Sequence, residues 1–250
     1  MEDDKTNMSA KKRVLVTGAG GFIGHHLSTY LVERGYWVRG VDIKEPEYEA
    51  SAAQEFEVLD LRRFDNCLIA TRGVSEVYGL AADMGGIGFI ETNKGEIVRN
   101  NTLINLHSIE AARINGVQRY LYTSSACIYP GYLQKSPGIA PLKENDAYPA
   151  DAEDGYGWEK LYMERVCRHY SEDFGLPTRV VRFHNIFGPL GTYDGGREKS
   201  RRPSAAKSHS PATAPRSKFG AMASKRARTA TLTTASRGST GSCGPISPSR

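Results

Sequence analysis

A length of 250 residues leaves room for one or two domains with a proper core. The formal net charge of +5 is unevenly placed, because ten of the 33 Lys and Arg residues and none of the 28 Asp and Glu residues lie after position 199. The first 199 residues are therefore net acidic, which excludes a nucleic-acid function argued from the overall charge. The N-terminal MEDDKTNMSAKKR has no apolar run of the signal-peptide kind, and no stretch of roughly eighteen apolar residues occurs anywhere. A cytoplasmic protein without membrane association is expected. Cys67, Cys127, Cys167 and Cys243 form no CxxC pair and have no histidine cluster at ligand spacing, which argues against a disulfide framework and a metal site.

In chain order, short β-branched runs alternate with helical patterns. Strands are expected at 12–17, 37–43, 55–61, 75–82, 119–125 and 178–183, and helices at 21–35, 96–115 and 156–174. This alternation calls for parallel pairing with crossover helices, hence an α/β fold with a doubly wound parallel sheet. After residue 199 the order stops. The segment 200–250 is rich in Ser, Arg, Ala, Thr and Pro, has no periodicity, and carries too little apolar area to offset its ordering entropy; disorder is expected there.

The first strand runs into GlyAlaGlyGlyPheIleGly, which places Gly18, Gly21 and Gly24 between a strand and a helix. Glycines at this spacing let the backbone turn tightly and let a pyrophosphate approach the free N–H groups of the helix start, where Phe22 and Ile23 lie. Asp42 closes the second strand, eighteen residues past Gly24. A carboxylate there accepts hydrogen bonds from the adenosine ribose hydroxyls and repels a 2′-phosphate, so NAD is the expected cofactor rather than NADP. Asp60, at the tip of the third expected strand, fits an adenine contact or an ordinary strand-end aspartate.

Two further stretches carry reactive groups. Tyr156 and Lys160 in GlyTyrGlyTrpGluLys stand at i and i+4, on one face of a helix, where an ammonium can favour the phenolate of a group that otherwise titrates near 10. The Lys can also hold nicotinamide-ribose hydroxyls. SerSerAlaCysIleTyrPro (124–130) ends a strand with two hydroxyls, Ser124 and Ser125, followed by Cys127.

Together the glycine turn, the Ser-Ser strand end and the Tyr-x-x-x-Lys pair resemble the extended short-chain dehydrogenase/reductase family, the nucleotide-sugar epimerases and dehydratases. The resemblance implies that Tyr156 takes the proton of a sugar hydroxyl at carbon 4 while hydride passes to NAD, and that Ser125 hydrogen-bonds the same oxygen. Where the dehydratases of that family carry an Asp–Glu pair, this chain has Ala126 and Cys127. Once carbon 4 is a ketone, the protons on carbons 3 and 5 become acidic, and a thiol can exchange them. A small buried hydrophobe is the alternative reading of the same cysteine.

AlaAlaAspMetGlyGlyIleGlyPhe (81–89), ArgPheHisAsnIlePheGlyPro (182–189) and GlyGlyArgGluLys (195–199) are similar to the GDP-mannose 3,5-epimerase branch of the family, over about residues 12–199. That branch implies Lys199 as the proton partner of Cys127, and Gly85, Ser125, Asn185 and Glu198 as substrate contacts. The implied reaction takes GDP-mannose to GDP-L-galactose, with NAD regenerated in each cycle. Residues 1–11 then form an N-terminal extension, 12–199 the NAD-binding unit, and 200–250 a basic tail standing where the smaller substrate domain is expected. An out-of-frame C-terminus with impaired activity is the expectation for that tail. A different nucleotide-sugar 4-epimerase or dehydratase, or a non-catalytic NAD-binding module with a cationic arm, are the other readings. Nucleic-acid binding by the arm is disfavoured because Phe219 is its one aromatic residue. Pairing of two copies through the two long helices is compatible with their amphipathic patterns.

Overall fold

A computed structural model describes residues 11–85, 87–134, 141–184, 186 and 188–191. Six strands form one parallel sheet: β1 (Arg13–Thr17), β2 (Trp37–Asp42), β3 (Glu55–Val58), β4 (Glu76–Gly79), β5 (Arg119–Ser125) and β6 (Thr178–Phe183), in the spatial order β3-β2-β1-β4-β5-β6. The chain winds outward from β1 to β3, then returns to lay β4 against the other side of β1. Parallel neighbours need such crossovers, and the reversal opens a crevice beyond the carboxyl ends of β1 and β4.

Alternation along β1 sorts the two faces. Leu15, with Val41, Val77, Tyr120 and Tyr122, packs on the face covered by α2 (Phe64–Thr71), α4 (Lys94–Ile114) and α5 (Asp154–Phe174), where Cys67, Ile109, Met163 and Cys167 fill the core. Val14, Val16 and Val38 point the other way and meet Leu31 of α1 (Phe22–Glu33). A strand buried on both faces reads as a continuous apolar run, and ValLeuVal in β1 does so.

The sequence-based bounds hold to within three residues for all six strands and three helices, and beside short 3₁₀ turns two α-helices are new. α2 and the short α3 (Ile87–Thr92) were not anticipated. The cause for α2 is tertiary: Arg39 of β2 donates from Nη1 to the Ala70 and Arg72 carbonyls at 2.9 and 2.8 Å, and Asn115 Nδ2 donates to the Leu68 carbonyl at 2.9 Å. Side chains distant in sequence thus satisfy carbonyls at that end, where Gly73, at φ +70°, also turns the chain out of the helix. Gly175 does the same for α5, in the left-handed conformation at φ 67°, with Pro177 beyond it preventing continuation. The third strand ends at Val58, not at residue 61, so Asp60 lies in the following turn. Among the described residues no helix is long and apolar enough to cross a membrane, and no group of His, Cys, Asp and Glu has the makings of a metal site.

Candidate active site

The turn from β1 to α1 is packed to its limit. Gly18 takes φ +71°, and a Cβ on it would meet the Ala81 nitrogen at 2.9 Å; a Cβ on Gly24 would overlap the Gly18 carbonyl. Gly20, which the spacing argument did not single out, comes so close to the second strand end that a Cβ would lie 2.6 Å from the Lys44 carbonyl oxygen. Gly21 donates to the Gly18 carbonyl at 3.1 Å and begins α1 with no side-chain cap and no acidic residue in the first turn. The N–H groups there, including those of Phe22 and Ile23, are left for an external anion, which fits the pyrophosphate of a dinucleotide. Thr17 Oγ1 accepts the N–H groups of Leu80 and Ala81, both at 3.1 Å, and so joins the two strand ends that flank the crevice.

Asp42 stands at the end of β2, as expected. Its Oδ2 accepts the Gly20 N–H at 3.0 Å and its Oδ1 the Ile43 N–H at 2.7 Å. Burial pushes its pKa above the ordinary carboxylate value, while these backbone donors pull it back. Asp60 has a partner of its own: Arg62 forks onto its carboxylate at 2.8 to 3.1 Å and holds its pKa below the ordinary range. An adenine contact through that carboxylate would share it with Arg62.

The second half of the site lies at the carboxyl end of β5. Tyr156 and Lys160 on α5 are both buried, 4 % and 2 % exposed, and the Lys160 ammonium lies 5.7 Å from the Tyr156 ring centroid. Lys160 Nζ donates to the Thr123 carbonyl at 3.0 Å. The Tyr156 hydroxyl donates to the Met84 sulfur at 3.2 Å, which places the loop after β4, with Gly85, directly over the phenol. Asn101 fixes that loop by accepting the Asp83 N–H at 2.6 Å and donating to the Asp83 carbonyl at 3.2 Å. The expectation that Tyr156 would be depressed is not met: its pKa is raised, first by burial and then by the nearby Cys127 and Glu159 charges, with a hydrogen bond from Ser125 opposing. Desolvation of the phenolate outweighs the favourable neighbours in the free protein.

Ser125 ends β5 and caps a 3₁₀ turn over Ala126–Ile128, its Oγ accepting the Cys127 N–H at 3.2 Å. Cys127 is half-buried and lies outside the hydrophobic clusters that hold Cys67 and Cys167. Burial is the main cause of its raised thiol pKa; the Ser125 hydroxyl and the Lys160 charge pull it down, and Glu153 pushes it up. The turn is braced from α5: the Cys127 carbonyl accepts the Glu153 N–H at 2.9 Å, and a Cβ on Gly157 would overlap that same carbonyl. The contact sets the backbone of the Cys127 turn against the α5 residue next to Tyr156. Glu159 was also missed. It is buried at 4 % exposure with Asn105 Nδ2 donating to its Oε1 at 2.8 Å, and burial raises its pKa while the Lys160 charge lowers it. A charged residue between two reactive ones on a buried helix face was the available signal.

The structure thus brings Gly18, Gly21, Phe22, Ile23, Gly24 and Asp42 together along the crevice and gathers Ser125, Cys127, Tyr156 and Lys160 at the end of β5. Asn185, Glu198 and Lys199 lie outside the described residues. The sequence matches the profile of the NAD dependent epimerase/dehydratase family over residues 14–226. The chain belongs to that family. It is 52 % identical over 194 residues to GDP-mannose 3,5-epimerase 1 of Oryza sativa subsp. japonica, covering 77 % of this chain and 51 % of the relative. The GDP-mannose 3,5-epimerase of Arabidopsis thaliana is 50 % identical, with 77 % and 52 % covered. Among solved structures, the UDP-glucose 4-epimerase of Thermus thermophilus in complex with NAD superposes with a TM-score of 0.65 at 26 % identity, over 73 % of this chain and 58 % of that one. The chain spans about half the length of the curated relatives it matches.

Proposed function

We propose that the chain acts as an NAD-dependent nucleotide-sugar epimerase of the GDP-mannose 3,5-epimerase type, taking GDP-mannose to GDP-L-galactose. The observation that carries this reading is the convergence of a phenol, a serine hydroxyl and a non-core thiol at the end of β5, beside the glycine turn. Gly18, Gly21, Gly24 and the α1 N-terminus hold the pyrophosphate, Asp42 the adenosine ribose, and Lys160 the nicotinamide ribose; Asp60 stands next to the adenine. When bound, NAD supplies a reversible two-electron oxidation at carbon 4. With the positive charge of the bound cofactor and the Lys160 ammonium favouring its phenolate, Tyr156 would take and return the proton of the carbon-4 hydroxyl, and Ser125 would hold that oxygen. An incoming hydroxyl replaces the Met84 sulfur as hydrogen-bond partner of the phenol.

Cys127 removes or delivers the protons on the carbons flanking the carbonyl, and Lys199 serves the opposite face of the sugar. Gly85, Asn185 and Glu198 complete the substrate contacts. Residues 12–199 form this unit, and the basic segment 200–250 stands where the smaller substrate domain is expected, which leaves turnover by this chain impaired. The protein works in the cytoplasm, with a sugar nucleotide as its partner instead of a nucleic acid or a membrane. Trp158 and Tyr162, exposed one turn apart on α5, support pairing of two copies through α4 and α5.

Isotope exchange tests the reading. GDP-mannose incubated with the chain and NAD in deuterium oxide gains deuterium at carbons 3 and 5 only slowly, as impaired turnover requires, and the Cys127→Ser variant loses that exchange. Epimerisation confined to carbon 4, without deuterium at carbons 3 and 5, would instead mark a simple 4-epimerase.

A further inference from the structure

The segment after β2 presents a charge pattern that Asp42 alone does not explain. Lys44 follows Asp42 by two residues, at the ribose end of the crevice, where a cation ordinarily welcomes a 2′-phosphate. Lys44, Glu47, Tyr48 and Glu49 face Gly20, Gly21, Phe22 and His25 across a cleft at the mouth of the glycine turn. Inside it, Lys44 Nζ is paired with Glu47 Oε2 at 3.2 Å, and His25 Nε2 lies 3.7 Å from Glu49 Oε2. Each basic group of the cleft is therefore matched by a carboxylate, and Asp42 adds a third.

We infer that Glu47 and Glu49 are determinants of selectivity for NAD over NADP, Glu47 by occupying Lys44 and Glu49 by adding negative charge beside His25. The inference rests on the dinucleotide reading of the crevice. A 2′-phosphate carries about two negative charges, so every carboxylate in the cleft opposes it, whereas the unphosphorylated ribose of NAD is indifferent to them. Both pairs are partly exposed, 60 % and 51 % for Lys44 and Glu47 and 9 % and 66 % for His25 and Glu49, so the opposition is a modest, salt-screened one.

Dissociation constants for NAD and NADP, measured by calorimetry on the full chain at low salt, test it. Glu47→Gln with Glu49→Gln tightens NADP about tenfold and leaves NAD within about twofold. Adding Lys44→Gln removes most of that gain, and about 0.5 M salt compresses the difference between wild type and the double variant. An unchanged NADP-to-NAD ratio in the double variant overturns the inference, as does a gain that survives both Lys44→Gln and high salt. A wild-type chain that binds neither dinucleotide removes the cofactor reading itself, and the selectivity argument with it.

Discussion

Cys127 differs from Cys67 and Cys167 in surroundings, and those surroundings set its chemistry. Burial carries the Cys67 thiol up to about 11 and the Cys167 thiol up to about 12, deep in the main core. Cys127 is raised as well, again chiefly by burial, with the Ser125 hydroxyl opposing and Glu153 adding to it; what sets it apart is that it is only half-buried and lies outside the main core. The thiolate is the form that reacts, so in a Cys243→Ser background iodoacetamide labels Cys127 first by at least about tenfold, with Cys67 and Cys167 protected while the chain is folded. Peptide mapping by mass spectrometry reads the order, and early labelling of Cys167 would contradict it. At the glycine turn, Gly24→Ala forces a methyl group into the Gly18 carbonyl and costs about 1 to 3 kcal/mol of stability, with loss of NAD binding in the calorimeter. Gly18, Gly24 and Asp42 were legible because their spacing is local and their chemistry is fixed by the backbone. Gly20, Met84 and Glu159 were not, since their partners come from Asp42 and Lys44, from Tyr156, and from Asn105, contacts that only the folded chain creates.

The decisive element is α5, which carries Tyr156 and Lys160 on one face and braces the Cys127 turn with Gly157. Helix propensity alone makes Gly157→Ala stabilising by roughly 0.5 to 1 kcal/mol. The overlap with the Cys127 carbonyl reverses that sign, so a lowered melting temperature is expected, together with a changed alkylation rate at Cys127. Higher stability with unaltered labelling would show that the contact bears no strain. Glu159 gives a pH-dependent counterpart. Its pKa in the folded chain lies above the ordinary 4.5, so the native protein holds that proton more tightly than the unfolded chain does. Its contribution therefore becomes less favourable as pH rises from about 4.5 through the raised folded value. Glu159→Gln, which keeps an acceptor for Asn105, raises the melting temperature by a few degrees at pH 7, and the gain fades toward pH 4. A gain that grows on acidification would reverse the assignment. The periodicity of α5 and its Gly175 stop were readable in sequence, whereas α2, with its own left-handed Gly73 stop, is only eight residues long and takes remote bonds from Arg39 and Asn115.

At the scale of the whole molecule, the six parallel strands put the two halves of the site on opposite sides of one crevice: the dinucleotide turn follows β1, and the reactive groups follow β5. Alternating strand and helix patterns foretold that arrangement, because a parallel sheet demands crossovers and the crossovers demand helices. The same patterns could not locate Asn185, Glu198 and Lys199 in space, and these contacts stand as proposals on the family resemblance. Central to the proposed chemistry is a Cys127 sulfur that faces the sugar held beside NAD. Its alkylation rate, measured with saturating NAD alone and with NAD plus GDP-mannose, tests this without requiring turnover. Protection of Cys127 by at least about fivefold on adding the sugar nucleotide, with Cys67 and Cys167 unaffected, is the predicted result. Equal rates with and without GDP-mannose, in a chain shown by calorimetry to bind it, would contradict the account.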